Sequence, residues 1–541
     1  MVLPPVLLHG LLERSAAAWP DAVALVDDVR RCTYADLLVR THGFAYALCE
    51  RGLVRGDRVA VFLDKRVETV VASFGVAAAG GVLVPVNPVL KAAQVMHILQ
   101  DSGARALVTS SARLSTLLPA LADCPALEHV VVTESSVSVP HSEQFRVHAW
   151  PVADSVHEAL ERVPVNWPVH ALETDTAAIF YTSGSTGRPK GVVLSHRNLV
   201  AGATSVATYL GNHRGDVLLA ALPLSFDAGF SQLTTAFLVG ARVVLLNYLM
   251  PRDVLLVMAR EGVTGLTAVP PLYMQLAALQ WPAEATVCLR YWANTGGRMP
   301  RATLDVLRTK APEAQPFLMY GLTEAFRSTY LPPEQVDRRP DSIGMAIPNV
   351  QVLVLRDDGS ECAVDEPGEL VHRGPLVAQG YWRRPEDTAQ RFKPLPLHFQ
   401  VGGHERPTQE IAVFSGDTVR RDAEGYLYFV GRRDEMIKTS GYRVSPTEVE
   451  EAVFASGLVR ESLAVGMDHE ALGQAIHVAA VASDQSTGDA VRDTAALLAH
   501  CRAQLPAYMV PTAVHWQAQP LPRNPNGKLD RQRWKAEHVG L

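Results

Sequence analysis

The apolar residues of this chain fall into short continuous runs, separated by stretches with helical spacing. Such runs stand at 59–63, 82–86 and 106–109, and the same alternation resumes after residue 190. A continuous apolar run indicates a strand buried on both faces, and helices between such strands are typical of parallel sheets. We therefore predict an α/β fold. The predicted strands are 59–63, 82–86, 106–109, 129–133, 177–181, 191–194, 217–222, 243–246, 265–269, 291–295 and 317–320.

The pattern changes after residue 343. Short β segments with turn signals, such as Asp357-Asp-Gly359 and Glu366-Pro-Gly368, predict a small antiparallel or barrel-like portion. Further on, Ser445-Pro-Thr-Glu448 has the spacing of a helix start, with Ser445 as the N-cap and Glu448 completing a capping box. We place a domain boundary near the polar segment that follows residue 431. The prediction is an N-terminal domain over 1–431 and a small α+β domain over 432–541.

Composition narrows the class of protein. The chain has 541 residues, which predicts two or more domains, and a formal net charge of -6. With no basic run, nucleic acid is not expected as a partner. The six cysteines include no CxxC pair, which is typical of reduced thiols and gives no metal site. The sequence shows neither a signal peptide with a basic N-terminal region nor an apolar run of about 20 residues. We therefore expect a cytoplasmic protein without a membrane partner.

The densest cluster of chemistry is Tyr181-Thr-Ser-Gly-Ser-Thr-Gly-Arg-Pro-Lys-Gly191, between two predicted strands. Its glycines let backbone N–H groups face one point, its hydroxyls donate hydrogen bonds, and its lysine brings a positive charge. These are the groups that handle phosphate. The loop is not a Walker loop, because Arg188 and Pro189 separate the second glycine from the lysine. The alternative interpretation is a surface turn, since Gly, Ser and Thr are ordinary turn residues.

Four other short motifs carry polar groups that are ambiguous by themselves. Tyr320-Gly-Leu-Thr-Glu324 follows a predicted strand, where open α/β sheets bind ligands, and Glu324 there is either a magnesium ligand or part of a helix cap. Asp417 is either a carboxylate that accepts hydrogen bonds from two ribose hydroxyls or an ordinary turn residue. Arg432 lies beside Arg433 and Asp434, where a surface ion pair is the alternative. Lys528 follows Asn524-Pro-Asn-Gly527 and is otherwise a solvated loop lysine.

Together the motifs occur in the order found in AMP-forming adenylating enzymes, the superfamily of acyl-CoA synthetases, luciferases and nonribosomal peptide synthetase adenylation domains. The chain resembles this superfamily over nearly its whole length. The resemblance implies a large N-terminal domain with two parallel-type sheets and a small β-barrel-like portion, followed by a small mobile α+β domain. It also implies ATP and Mg²⁺ as cofactors. In the implied reaction, a carboxylate attacks the α-phosphate of ATP to give acyl-AMP and pyrophosphate, and a thiol then takes the acyl group.

The resemblance assigns roles to individual residues. Glu324 would bind the metal, and Lys528 would bridge carboxylate and phosphate in the first step. The small domain would rotate about Asp434, after which Lys438 would face the site during thiol transfer. The residues with a catalytic role would be Thr182, Lys190, Glu324, Lys438 and Lys528. The ATP- and AMP-binding residues would be Thr182, Ser183, Gly184, Ser185, Thr186, Gly187, Lys190, Gly296, Gly297, Arg298, Tyr320, Gly321, Thr323, Asp417, Arg432 and Lys528.

The acid pocket decides the substrate. Phe226-Asp227 matches the Phe-Asp-x-Ser of amino-acid-activating relatives, whose Asp holds an α-ammonium, but Gly229 stands at the serine position. The alternative is that Asp227 caps a helix starting near Ala228. Three alternatives are open for Arg327: its side chain points away from the pocket, neutralises Asp227, or binds a second carboxylate of the substrate. The matched pocket residues are Phe226, Asp227, Ala228, Ser231, Ala268, Ala293, Thr295, Met319, Arg327 and Ser328.

Free-standing prolyl–carrier-protein ligases are similar in length and layout, so our first prediction is an L-proline or similar small amino-acid ligase. Its thiol partner would be the phosphopantetheine of a separate carrier protein, because few residues follow Lys528. Acyl-CoA ligases associated with exopolysaccharide and protein-sorting (exosortase) loci are similar too. The alternative is therefore an AMP-forming acyl-CoA ligase acting on a non-amino acid, with coenzyme A as the thiol.

Overall fold

A computed structural model of the protein describes residues 6–134, 144–151, 171–182, 189–399, 409–432, 435–439, 442–469, 472–524 and 527–538. The Cα positions group into two compact units. Unit 1 is Met1–Val352 with His372–Val413, and unit 2 is Leu353–Val371 with Phe414–Leu541. The predicted boundary between 431 and 432 stays a prediction. Within the described residues, no helix has the length and apolar character needed to cross a membrane.

Unit 1 alternates strands and helices, as the sequence predicts. Its strands are β1 Val23–Asp27, β2 Arg30–Thr33, β3 Arg58–Phe62, β4 Val82–Pro85, β5 Ala106–Thr109, β6 His129–Val132, β7 Arg146–Ala149, β8 Thr176–Thr182, β9 Lys190–Ser195, β10 Val217–Ala220, β11 Arg242–Leu245, β12 Gly265–Ala268, β13 Tyr291–Asn294, β14 Gln315–Tyr320, β15 Thr329–Leu331, β16 Ser342–Ala346, β19 Gly380–Tyr381 and β20 Phe392–Pro394. Its helices are α1 Gly10–Ala18, α2 Tyr34–Glu50, α3 Val67–Ala78, α4 Ala92–Ser102, α5 Ser111–Leu121, α6 His196–Tyr209, α7 Asp227–Val239, α8 Pro251–Glu261, α9 Pro270–Ala277, α10 Glu284–Val287, α11 Arg301–Lys310 and α12 Pro385–Arg391.

Two sheets dominate unit 1. The first has the order β16-β15-β14-β13-β12-β10-β11-β1-β2, and the second has the order β19-β9-β8-β4-β3-β5-β6-β7. The central pairs are parallel, for example β12 with β13 and β3 with β5. The edge pairs are antiparallel, including β14 with β15 and the hairpin of β8 and β9. The predicted parallel sheets are therefore confirmed in the centre of each sheet.

Helix α7 explains how the candidate pocket is held. Ten of its residues are buried, from Ala228 to Phe237, and they include the polar side chains of Ser231, Gln232, Thr234 and Thr235. Phe230 of this helix stacks on Phe74 of α3 with ring centroids 5.9 Å apart, and it also meets Phe180 of β8 at 5.6 Å. Helix α7 is thus fixed against a helix and against the second sheet, so its N-terminus is a rigid support for side chains.

Unit 2 is smaller and mixes strands with three helices among its described residues. Strands β17 Gln351–Leu355, β18 Gly368–Arg373 and β21 Ile411–Arg421 belong to it in part, and β22 Leu427–Arg432 pairs with β21 antiparallel. A second sheet has the order β24-β23-β26-β25, with β27 parallel to β26. The remaining elements are β23 Ile437–Thr439, β24 Tyr442–Val444, α13 Pro446–Ala455, β25 Val459–His469, β26 Gly473–Ala482, α14 Ala490–Gln504, β27 Ala513–Gln517 and α15 Arg531–Glu537.

The predicted start of α13 is present. Ser445 is its N-cap, and the Ser445 hydroxyl accepts a hydrogen bond from the backbone N–H of Glu448, while Pro446 occupies the first turn. The large α/β domain and the smaller α+β domain agree with the predicted fold class.

Candidate active site

One group of the predicted site residues of unit 1 lies at or just after the carboxyl ends of neighbouring parallel strands. Strand β12 ends at Ala268, β13 at Asn294 and β14 at Tyr320. The loops after β13 and β14 carry Gly296–Arg298 and Gly321–Glu324. This edge is where open α/β sheets bind their ligands, so one sheet edge presents residues that lie far apart in the chain.

The ends of the predicted phosphate loop are held together by the β8–β9 hairpin. Thr182 pairs directly with Lys190, the first residue of β9. The Lys190 ammonium lies 2.8 Å from Asp387 Oδ1 and 5.6 Å from the centre of the Tyr381 ring. Residues Ser183, Gly184, Ser185, Thr186 and Gly187 lie outside the described residues, and their roles stay predictions.

Glu324 lies in the short helical turn Thr323–Ala325. The Tyr381 hydroxyl donates a hydrogen bond of 2.5 Å to Glu324 Oε1, and burial followed by the nearby Glu324 charge raises the pKa of Tyr381 well above its ordinary value. This fixes one carboxylate oxygen, while Glu324 Oε2 accepts no hydrogen bond from the residues that the structure describes. An ionised carboxylate with an available oxygen fits Mg²⁺, which prefers hard oxygen ligands and shares them with phosphates.

The glycine turn after β13 is closely packed. Gly296 has φ +76°, a left-handed conformation that favours glycine, and the Asn294 side-chain amide donates to the Gly297 carbonyl at 2.8 Å. The Arg298 guanidinium lies 2.6 Å from Asp341 Oδ1, both partly exposed. Tyr320, the predicted adenine neighbour, is half-buried at the end of β14. The conformation of this turn is thus held by one hydrogen bond and a left-handed glycine.

The loop from Gly321 to Arg327 turns back on itself. A Cβ on Gly321 would lie 3.2 Å from the Arg327 Cα, and Phe326 has φ +55° and ψ -42°, rare for a residue with a side chain. The buried Phe326 ring fills the space beside Gly202, where a Cβ would come within 2.3 Å of it. This strained residue is held by packing, and it directs the following Arg327 into the protein.

Arg327 forms an ion pair with Asp227. Arg327 Nη1 lies 3.3 Å from Asp227 Oδ2 and donates to the Phe326 carbonyl at 3.1 Å. Arg327 is only 3% exposed. Of the three alternatives for Arg327, the structure has the one in which it neutralises Asp227. Asp227 Oδ1 also accepts a 2.7 Å hydrogen bond from the Ala228 N–H, so the carboxylate serves the start of α7, whose N-cap is Phe226.

A narrow cavity lies between α6, α7 and strands of the first sheet. Of the predicted pocket residues, it is lined by Ala228, Ser231, Met319 and Arg327. Ala268, Ala293 and Thr295 are buried at or just after strand ends, and Phe226 is half-buried without lining this cavity. The Ser328 hydroxyl is buried and lies 2.9 Å from His372 Nδ1. Burial lowers the pKa of His372 to about 3, so this imidazole is neutral.

Several residues around this cavity were not identified from the sequence. Asn212, Gln232 and Thr235 line it, and Tyr209 contacts Met319 through a hydroxyl–sulfur hydrogen bond of 2.9 Å. Gln232 and Thr235 lie four and seven residues after Ala228, on the same face of α7, which helical spacing could have indicated. Asn212 follows α6 and carries no comparable signal.

Lys65 is a buried lysine that the motifs also missed. Its ammonium donates to the Ala221 carbonyl at 2.8 Å, at the end of β10, and its backbone is bound by the Asn247 side chain in both directions. Burial lowers the pKa of Lys65 to about 7. Lys65 therefore supports the segment that leads to Phe226 and Asp227.

Unit 2 contains the remaining predicted residues. Asp417 and Arg432 stand opposite each other in β21 and β22, with Arg432 Nη1 3.3 Å from Asp417 Oδ1. Lys528 is exposed, and its backbone N–H donates to Asn524 Oδ1 at 3.1 Å in a tight turn. Lys438 lies in β23, but its side chain is outside the described part of the chain, as is Asp434. Among the residues that the structure describes, no group of three or more His, Cys, Asp or Glu side chains is arranged to hold a metal ion.

Comparison with known proteins decides the family. A model described as "AMP-binding enzyme" matches residues 12–382, and one described as "AMP-binding enzyme C-terminal domain" matches residues 448–528. The chain belongs to the AMP-binding enzyme family. The predicted superfamily is therefore confirmed, and the chain is an adenylate-forming ligase that joins an acid to a thiol.

Individual relatives of this AMP-binding enzyme differ in what they act on. A long-chain-fatty-acid–CoA ligase of Escherichia coli O157:H7 is 31% identical over 98% of this chain and 95% of its own length. A linear gramicidin synthase of Brevibacillus parabrevis is 30% identical over 97% of this chain, which spans only 9% of that protein. The relatives therefore do not distinguish between a CoA ligase and an amino-acid adenylation domain.

Solved structures of related proteins have the same fold as this chain. ATP-bound MatB from Rhodopseudomonas palustris has a TM-score of 0.83 and 26% identity, covering 98% of this chain and 99% of its own. The o-succinylbenzoate coenzyme A synthetase MenE of Bacillus subtilis, in complex with ATP and magnesium ion, has a TM-score of 0.78 and 26% identity, covering 97% and 99%. The predicted cofactors, ATP and Mg²⁺, are those of this family.

Proposed function

We propose that this AMP-binding enzyme activates a small carboxylic acid without an α-ammonium group and transfers it to coenzyme A. The observation that carries this proposal is the ion pair between Asp227 and Arg327. An ammonium in the pocket would need the Asp227 oxygen that already faces Arg327. Withdrawing that oxygen would leave a guanidinium that is 3% exposed without its carboxylate, and such an unpaired buried charge is strongly destabilising.

The thiol is coenzyme A in this proposal because the curated relatives that align over nearly their full length are named CoA ligases. The second candidate is our first prediction, a ligase for L-proline or a similar amino acid with a carrier-protein thiol. It is supported by the similarity to a gramicidin synthase and by the Asp227 side chain, which keeps 15% exposure beside the pocket. The two candidates share the first half-reaction and differ in acid and acceptor.

In the proposed mechanism, Thr182 and Lys190 hold the β- and γ-phosphates of ATP. Mg²⁺, held by Glu324, would neutralise phosphate charge, and the Tyr381 hydrogen bond orients that carboxylate. Gly296 to Arg298, Tyr320, Gly321 and Thr323 form the adenine and α-phosphate surface.

Residues outside this surface complete the first half-reaction. In our proposal, Asp417 and Arg432 bind the ribose. Lys528 bridges the attacking carboxylate and the α-phosphate, where its charge stabilises the negative charge that develops in the transition state. Asp434 is the proposed hinge of the small domain, and Lys438 acts in thiol transfer after the rotation.

The test is ATP–pyrophosphate exchange across amino acids and matched acids that lack the amine, for example L-proline against cyclopentanecarboxylate. We expect exchange with acids that lack the amine, followed by CoA-ester formation. The control variant is Asp227→Asn, which should affect both classes of acid alike. A loss of roughly 2–5 kcal/mol with proline alone would instead support the amino-acid candidate, because that is the range for breaking a desolvated charge pair. Exchange with amino acids only would reject our proposal.

A further inference from the structure

The cavity beside α7 contains polar atoms that have no hydrogen-bond partner. Asn212 Oδ1, Gln232 Oε1, Thr235 Oγ1 and Arg327 Nε are all buried, and none has a partner among the residues that the structure describes. All four residues line the same cavity. Buried polar groups in folded proteins are almost always paired, so four unpaired atoms around one space indicate that a polar group belongs there.

The two amides are oriented by their own hydrogen bonds. The Gln232 side-chain nitrogen donates to the Leu219 carbonyl at 2.8 Å, and the Asn212 nitrogen donates to Asp216 Oδ2 at 3.1 Å. Both partners are acceptors only, so these contacts must be made by the NH₂ groups. The amide oxygens therefore remain as acceptors, while Arg327 Nε is a donor. A group that fits must both donate and accept hydrogen bonds.

The charge around the cavity selects a neutral group. Arg327 is balanced by Asp227, and the other unpaired atoms belong to uncharged side chains. A second carboxylate on the substrate would meet Asp227 beside Arg327, and a distal ammonium would meet the guanidinium. Either charge would lose its hydration without gaining an unshared counter-ion, which is unfavourable in a buried site.

The space is small. The cavity has a volume of about 20 Å³, enough for one group the size of a water molecule. Its other lining includes the apolar side chains of Val206, Leu218 and Met319. This combination suits the end of a short acid that carries one hydroxyl group.

We infer that the acid activated by this enzyme carries an uncharged hydroxyl group, which binds at Gln232, Thr235 and Arg327. The inference rests on the proposed function, since it names the class of acid for the same pocket. It sets this chain apart from a ligase for unsubstituted fatty acids, because a methyl end would leave all four polar atoms unpaired.

The experiment compares isosteric acids in which a terminal methyl replaces a hydroxyl. The pairs are 3-hydroxypropanoate with butanoate, 4-hydroxybutanoate with pentanoate, and 5-hydroxypentanoate with hexanoate, and succinate is the charged probe. The readout is kcat/KM for ATP–pyrophosphate exchange by the full chain. We expect a preference of at least about tenfold for the hydroxy acid over its methyl partner at one chain length.

Thr235→Val removes one hydroxyl of the cavity at nearly constant volume, and we expect it to shrink this preference at least about threefold. The matched control is Thr234→Val, because the Thr234 hydroxyl bonds within its own helix to the Ser231 carbonyl at 3.3 Å and Thr234 is not among the cavity residues. It should leave the preference unchanged.

Two outcomes would overturn the inference. If the methyl acid of every pair reacts as well as its hydroxy partner, the cavity holds water only, and the proposed function stands. If no acid lacking an amine supports exchange, both the inference and the proposed function fail. Equal effects of the Thr235 and Thr234 variants on the preference would also contradict the assignment of Thr235.

Discussion

Gly229 lies so close to Pro223 that a Cβ atom on its backbone would stand 1.9 Å from the Pro223 carbonyl oxygen. The obstacle is backbone, so no rotamer change can remove it. The segment before α7 therefore runs tightly against the first turn of this helix, and only glycine fits there. A serine at this position, as in the Phe-Asp-x-Ser motif, would place its Cβ against the Pro223 carbonyl.

The first prediction is that Gly229→Ala lowers the thermal unfolding midpoint strongly. Overpacking against a rigid neighbour costs about 3 kcal/mol at the upper end of its usual range. The matched control is Gly56→Ala, where no atom lies within 4 Å of the new Cβ and only the left-handed φ of +87° is unfavourable, at about 1–2 kcal/mol. Equal midpoints for the two variants would show that the segment at Pro223 yields easily.

The strands of unit 1 that were predicted are continuous apolar runs, which are typical of strands buried on both faces. Strand β5 was predicted and found at Ala106–Thr109, and β12 differs from its prediction by one residue. The sequence analysis did not predict the strands β1, β2, β7, β15, β19 and β20, most of which are short strands at or near a sheet edge without a long apolar run. Strand β22 begins only at Leu427, because the chain turns at Gly425, whose φ is +91°.

The site residues that belong to short sequence motifs were predictable. The contacts between side chains that lie far apart in the sequence were not. The ion pair of Asp227 and Arg327 joins residues 100 positions apart, and sequence spacing gives no rule for such a pair. The same is true of Lys190 with Asp387 and of Lys65 with the Ala221 carbonyl. These contacts depend on which strand ends are neighbours, and that is set by sheet order.

The second prediction concerns the competition of phosphate with Asp387 for Lys190. Asp387→Asn should lower KM for MgATP, by a factor of about five at most, because a partly exposed pair is worth about 1 kcal/mol or less. Lys190→Met should raise KM by about tenfold or more, since a hydrogen bond to a charged group contributes about 1.5–3 kcal/mol.

The double variant tests whether the two effects are linked. In the Lys190→Met background, Asp387→Asn should leave KM for MgATP unchanged, because the lysine through which it acts is gone. An increase in KM on Asp387→Asn in both backgrounds would mean that Asp387 supports the loop by other contacts.

The third prediction is a pH dependence of stability from Lys65. The ordinary pKa of a lysine is 10.5, and burial lowers the pKa of Lys65 to about 7 in the folded protein. The nearby Asp64 charge acts in the opposite direction, but its effect is smaller. Between these two pKa values the unfolded chain binds more protons, so this group increases stability as pH rises. The thermal midpoint of the wild type should therefore gain on that of Lys65→Met between pH 6 and pH 9.

The measurement is thermal unfolding of both proteins at several pH values, because their difference cancels the titration of other groups. Asp64→Asn is the control for the neighbouring carboxylate, and it should leave the rise with pH in place. A constant difference between wild type and Lys65→Met over this range would mean that Lys65 stays charged when the protein is folded.

The fourth prediction is that Asp434→Pro stops the protein after adenylation. Proline fixes φ and removes the backbone N–H at the proposed hinge, where the chain must change conformation. Adenylate formation should persist while thiol transfer is lost, as measured by exchange and by CoA-ester formation in the same preparation. Asp434→Ala is the control, since it removes the side chain but leaves the backbone free. Thiol transfer at the wild-type rate in Asp434→Pro would place the hinge elsewhere.

The last prediction separates the two lysines of the small domain by half-reaction. Lys528 is exposed on a tight turn, and in our proposal its charge reaches the first-step site and stabilises charge that exists only in the transition state. Lys528→Ala should therefore abolish ATP–pyrophosphate exchange while thiol transfer from pre-made acyl-AMP continues. Lys438→Ala should show the opposite bias, with normal exchange and slow transfer. Each variant is the control for the other, because general unfolding would lower both activities together. Equal losses of both half-reactions in Lys528→Ala would contradict its assignment to adenylate formation.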